Sequence, residues 1–123
     1  IKDYSIESIA LKKAIQERWI NIEEIKINEL LENSNIQRGE KEAISLSLKY
    51  KCPLLTDDSS AKSCAKLFKI EVHGTIFVIL LAYKNRLISK DKSKLLLDSM
   101  IKEGFYISDV LYLRFLEMLD SFK

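Results

Sequence analysis

Apolar side chains recur along this chain at two spacings, and the change from one to the other marks out its elements. In "SIESIALKKAIQERW", Ile6, Ile9, Ala10 and Lys13 fall at helical spacing behind Ser5, which predicts an amphipathic helix with a serine cap. "WINIEEI" alternates Ile20 and Ile22 with polar neighbours and predicts a strand at a sheet edge. "RGEKEAISLSLKYK" returns to the helical period, with a glycine at its entrance. "CPLLTD" predicts a short buried strand whose proline comes first, where a missing donor is tolerated. "SSAKSCAKLFK" predicts a short helix and "IEVHG" a second strand. "TIFVILLAYKNRL" is apolar nearly all round, the pattern of a helix buried on most sides. "KDKSKLLLDSMIKEG" runs to Gly104, a helix stop, and "ISDVLYLRFLEML" starts behind Ser108 with Asp109 in its first turn.

Helices alternating with short strands predict an α/β fold with a mainly parallel sheet. The 123 residues, 47% hydrophobic and 31% charged, suit one domain over 1–123 with a real core. One proline, three glycines and no repeat leave no candidate linker. A net charge of +2 carries no bulk signature of a nucleic-acid binder, although local patches can carry such binding. Cys52 and Cys64 form neither a CxxC pair nor a disulfide framework and read as reduced packing residues of a cytoplasmic protein. "TIFVILLAY" is too short to span a bilayer, so no membrane partner and no secretion signal are expected. The chain opens on Ile1 rather than methionine, and an upstream stretch is expected.

Two features carry candidate chemistry. Asp57 and Asp58 stand side by side where a strand should end, and repulsion opposes that unless solvent or a cation faces them. Ligands of parallel sheets sit beyond such carboxyl ends. Glu40 is the second feature. At about 100° per residue, Ala43, Ile44, Ser47 and Leu48 fall within roughly 80° of it, so it shares their core-facing stripe. Glu42, Ser45 and Lys49 fall on the opposite, solvent side. Glu40 reads either as a first-turn anion favoured by the helix dipole or as a cleft residue holding a cation with Asp57 or Asp58. Carboxylates without histidine or cysteine suit Mg²⁺ or Mn²⁺.

At these residues the sequence resembles the PIN-domain ribonucleases, in particular a prokaryotic PIN-like branch. The likeness is carried by Gly39-Glu40 opening a helix, Asp57-Asp58 ending a strand, Ala61-Lys62, and Val72-His73-Gly74-Thr75 leading into an apolar helix. The closing "LLLDSMIKEGFYISDVLYLRFLEML" is similar too, so the resemblance covers essentially residues 17–119. It implies a three-layer α/β/α fold and Mg²⁺- or Mn²⁺-dependent cleavage of RNA, often as the toxin of a toxin–antitoxin pair, with an antitoxin protein as partner. It implies metal and catalytic roles for Glu40 and for Asp57, which fits that branch, or Asp58, which fits the "T-x-D" register of other members. The family's first acid, on an N-terminal strand, has no counterpart, since Asp3 does not fit the setting; the expected upstream segment would supply it. Thr75 stands where other members often carry a fourth acid, and reads as a support for metal and water or as a helix cap.

The remaining residues read more plainly. Lys62, Lys66 and Lys69 make a stripe that is either a solvated face or, for Lys62 and Lys66, a contact for RNA phosphates. His73 lacks a partner nucleophile and reads as a strand-end residue. Trp19, Tyr4, Phe105, Tyr106, Tyr112 and Phe115 read as core or dimer surface, and the apolar C-terminal helices suit a homodimer. A catalytically inactive PIN-like module that binds RNA or protein is the alternative. A response-regulator phosphoacceptor, which also clusters acids, would need a lysine ending a later strand, and none is well placed.

Overall fold

The computed structural model describes residues 5–122; Tyr4 and Asp3 lie outside the described residues. The order is helix α1 (Ile6–Gln16), a 3₁₀ turn (Glu29–Leu31), α2 (Arg38–Tyr50), strand β1 (Leu54–Leu55), α3 (Ser59–Leu67), β2 (Val72–His73), α4 (Thr75–Lys84), α5 (Lys90–Lys102) and α6 (Asp109–Ser121). β1 and β2 pair in parallel, Leu54 with Val72 and Leu55 with His73, and α3 is their crossover. The fold is therefore an α/β sandwich, as the alternation of periods predicts, with the parallel sheet among the described residues confined to two short strands.

Local signals set the helix ends. Ser5, Asp58, Ser89 and Ser108 each accept a backbone N–H through the side chain at the start of α1, α3, α5 and α6. α2 starts in a capping box, in which Glu40 accepts from the Gln37 N–H at 3.2 Å. Gly104, with φ +106°, follows α5 as its stop, and that conformation is nearly free of cost only for glycine.

The apolar residues gather into two clusters that divide the chain cleanly. Leu31, Ile44, Leu54 and Ala65 form one, joined by neighbours between Ile27 and Val72. Ile79, Leu80, Leu97, Phe115 and Leu119 form the other, joined by neighbours between Ile76 and Phe122. The seam between them falls at His73, Gly74 and Thr75.

Six expectations are corrected. "WINIEEI" forms no strand: residues 21–28 have no regular structure, and Ile22 and Trp19 are exposed. An alternating pattern needs a neighbouring backbone to become a strand. Here side chains take up bonding along the segment instead: Tyr50 donates to Glu23 at 2.7 Å, and the Asn28 N–H donates to Ser45 Oγ at 3.0 Å. That second bond explains the next correction, because Ser45 is buried rather than in water, its hydroxyl donating in turn to the Lys41 carbonyl at 2.7 Å. β1 is only half buried, with Leu54 in the core and Leu55 62% exposed on the opposite face. α4 buries Ile79 and Leu80 but leaves Phe77, Val78 and Leu81 exposed, since α5 and α6 cover one side of it. α1 likewise buries Ala14 while Ile6 and Ile9 of its predicted stripe stay exposed. Cys64 is half-buried and Cys52 exposed, so only the first reads as packing.

Candidate active site

The first strand delivers the paired acids to the carboxyl end of the sheet, and each then turns to a different helix. Asp58 caps α3, its Oδ2 accepting from the Ala61 N–H at 2.8 Å. Asp57 crosses the seam to α4. Its Oδ1 accepts from the Thr75 N–H at 2.9 Å and its Oδ2 from the Thr75 hydroxyl at 2.5 Å. The N-cap position of α4 is Gly74, which has no side chain to offer, so Asp57 supplies the missing acceptor from 18 residues away. Two adjacent carboxylates are thus tolerated because each meets the positive end of its own helix.

Gly74 makes this approach feasible. A Cβ there would overlap Asp57 Oδ1 and lie 3.4 Å from the Thr56 carbonyl oxygen. The absence of a side chain at residue 74 is what lets the carboxylate reach the helix. Thr75 is accordingly not itself the cap; it is the first residue of α4 and a double donor to Asp57.

Glu40 comes to the same strand end from the other side. It is half-buried in the first turn of α2 and lines a cavity of 100 Å³ with Ala43, Leu55, Thr56 and Ala61. Asp57 lines a different cavity, of 380 Å³, with Lys62, His73, Gly74, Phe77 and Tyr106. Glu40, Asp57 and Asp58 form no ion pair with lysine or arginine among the described residues. No three acids, histidines or cysteines come together at metal-binding distance among the described residues. The donor set is nevertheless of the right kind for a hard cation, because Mg²⁺ is held by one or two carboxylates together with substrate phosphate oxygens and water. Asp57, already accepting two bonds, retains lone pairs on both oxygens.

The lysine stripe splits. Lys62 is half-buried beside Asp57 and Lys66 is exposed, while Lys69 lies past the end of α3 and lines a separate cavity with Lys51 and Cys52. His73 stacks on Phe77, with ring centroids 3.7 Å apart and planes at 15°, and its Nε2 lies 3.4 Å from Glu71. Of the aromatics read as core or dimer surface, Phe115 is buried and Tyr106 is 87% exposed. The sequence reading missed both the Asp57–Thr75 link and the His73–Phe77 stack. The signal for the first was present: a Gly-Thr step after a strand, opening a helix that has no capping side chain of its own.

Searches among curated proteins and among solved structures gave no match. No helix among the described residues is long and apolar enough to cross a membrane. A family model described as a PIN domain matches residues 2–121, nearly the whole chain, and with it the acids at the strand end and the Gly-Thr entrance to α4. That fold is of nuclease type, and its members typically use divalent metal ions. The chain belongs to the PIN-domain family.

Proposed function

We propose that the protein is a metal-dependent endoribonuclease, acting in the cytoplasm as the toxin of a toxin–antitoxin pair, with Glu40 and Asp57 holding a Mg²⁺ or Mn²⁺ ion. What supports this reading is that, in a PIN-domain chain, Glu40 lines a cavity with Leu55 and Thr56, the residues that lead into Asp57, and that neither carboxylate pairs with a lysine or arginine among the described residues. When bound, such an ion polarises a phosphate oxygen and makes water a usable nucleophile at neutral pH. The chain's own part is to orient: Thr75 fixes both oxygens of Asp57, the capping box fixes Glu40, and Lys62 and Lys66 steer the RNA backbone. Asp58 serves as the alternative acid, and a further aspartate upstream would complete the set.

RNA cleavage in Mn²⁺ by the complete gene product tests the reading. Glu40→Gln and Asp57→Asn should each lose about 100-fold or more, the upper end of what removing a supporting metal contact costs. Cleavage by both variants at the wild-type rate would remove the mechanism. One observation favours a second reading, an inactive RNA- or protein-binding module: both acids of the pair already have helix ends to satisfy, and no third ligand joins them among the described residues. RNA binding without cleavage, unchanged by Mn²⁺, would select that module. The antitoxin and a homodimer remain partners to seek by co-purification and sedimentation.

A further inference from the structure

The larger cavity at Asp57 lies on the seam between the two hydrophobic clusters. Asp57, Lys62, the stacked pair His73 and Phe77, Tyr106 of the α5–α6 connection and Met118 of α6 line it. Its 380 Å³ falls within the range of small-ligand sites, roughly 300–1,000 Å³. We propose that this groove takes an unstacked base of single-stranded RNA, beside a phosphate met by Lys62. The proposal rests on the nuclease reading for its ligand class and adds what that reading lacks, namely which part of the RNA is recognised.

Three features fit a nucleotide. Tyr106 is 87% exposed and Phe77 37% exposed, so aromatic surface stands open in a groove where ring-on-ring stacking already occurs between His73 and Phe77. Bases stack on such rings with little regard to sequence, and only when freed from a duplex. Lys62, half-buried at the Asp57 end, has no ion pair among the described residues and is placed for a phosphate flanking the base. The groove also includes one of the candidate cleavage acids, Asp57. A protein surface laid over the groove would instead desolvate the Lys62 ammonium and the Asp57 carboxylate, which do not pair with each other.

The test is fluorescence anisotropy of labelled single-stranded octaribonucleotides, with a duplex of matching sequence, on the full chain in EDTA so that no cleavage intervenes. The single strand should bind more tightly than the duplex. Tyr106→Ala should weaken it about tenfold, the loss of one stacking platform, while Tyr106→Phe, which keeps the ring, binds as wild type. Phe77→Leu, which keeps the apolar bulk, should weaken it in the same direction, and Lys62→Gln should lower the salt dependence by about one charge. Wild-type affinity in both aromatic variants, or no binding of single strands by the wild type, would overturn the proposal. So would a change in self-association of these variants with RNA affinity unaltered, which would give the groove to a protein. The two readings fail separately. Cleavage that still depends on Glu40 while Tyr106→Ala and Phe77→Leu both bind as wild type removes the groove alone. Cleavage indifferent to Glu40 removes the nuclease and leaves the binding result standing.

Discussion

Four of the described residues hold a left-handed backbone without being glycine: Arg18, Lys51, Lys69 and Arg86, with φ between 53° and 63°. Each follows the end of a helix, where glycine is the common choice, and each carries a positive charge near the negative end of the helix dipole. The backbone cost is about 1–2 kcal/mol per residue and the charge recovers part of it. Arg86→Gly should therefore stabilise by about 0.5–1 kcal/mol, seen as a higher urea midpoint at unchanged slope. Gly74→Ala should act the other way, by about 1–3 kcal/mol, because the methyl displaces Asp57 from the start of α4. RNA cleavage should fall with it, whereas a purely structural glycine would lower the melting temperature and leave the rate of the folded enzyme intact. The acids themselves were legible in the sequence as an anomaly. Their resolution was not, because nothing in adjacent residues says that Asp57 and Asp58 serve helices 16 residues apart in their starts, at Ser59 and Thr75.

Among the elements, α5 and α6 are tied by two polar contacts over their apolar seam. Tyr112 donates to Asp98 at 2.7 Å, and Lys90 pairs with Asp120 at the surface. The hydrogen bond to Asp98 holds the Tyr112 phenol above its ordinary value of 10.0. A raised value favours the protonated form in the folded state, so this contribution is whole below about pH 10 and is lost as pH rises through the folded value. The Lys90 bond holds Asp120 below the ordinary carboxylate range, a contribution present at neutral pH and lost only as pH falls through that lowered value. Tyr112→Phe should cost about 1 kcal/mol at pH 7 and flatten the alkaline decline, read from urea unfolding between pH 7 and 11. Asp58→Ala should cost about 0.5–2 kcal/mol through loss of the α3 cap. The serine caps Ser5 and Ser108 made two helix starts readable, since capping is chemistry between near neighbours. The strand expected at "WINIEEI" was misread because pairing depends on a partner edge that local alternation cannot supply.

At the scale of the molecule, a run of exposed apolar residues precedes Leu31, the first buried residue of the two clusters. Ile6, Ile9, Leu11, Trp19, Ile22 and Leu30 are all exposed. Substituting Ile6 and Ile9 with lysine should change unfolding stability by less than about 0.5 kcal/mol each, because neither side chain is packed. The same pair should lower any self-association seen by sedimentation, since a patch of this kind is what copies or partners cover. The α/β class and the order of its motifs were legible because periodicity survives in short elements. The partition into two cores was not, because helical spacing shows which positions are apolar and not which neighbour they eventually meet.

That partition has a consequence for how the chain is made and how it opens. Each cluster draws on one unbroken stretch, so residues up to Val72 can collapse while the rest is still emerging from the ribosome, and the last three helices can dock on one another independently. Amide exchange should then report two cooperative blocks meeting at Gly74. The pair of bonds from Asp57 to Thr75 is the latch between them, and an oligonucleotide lying across it would fasten two blocks into one.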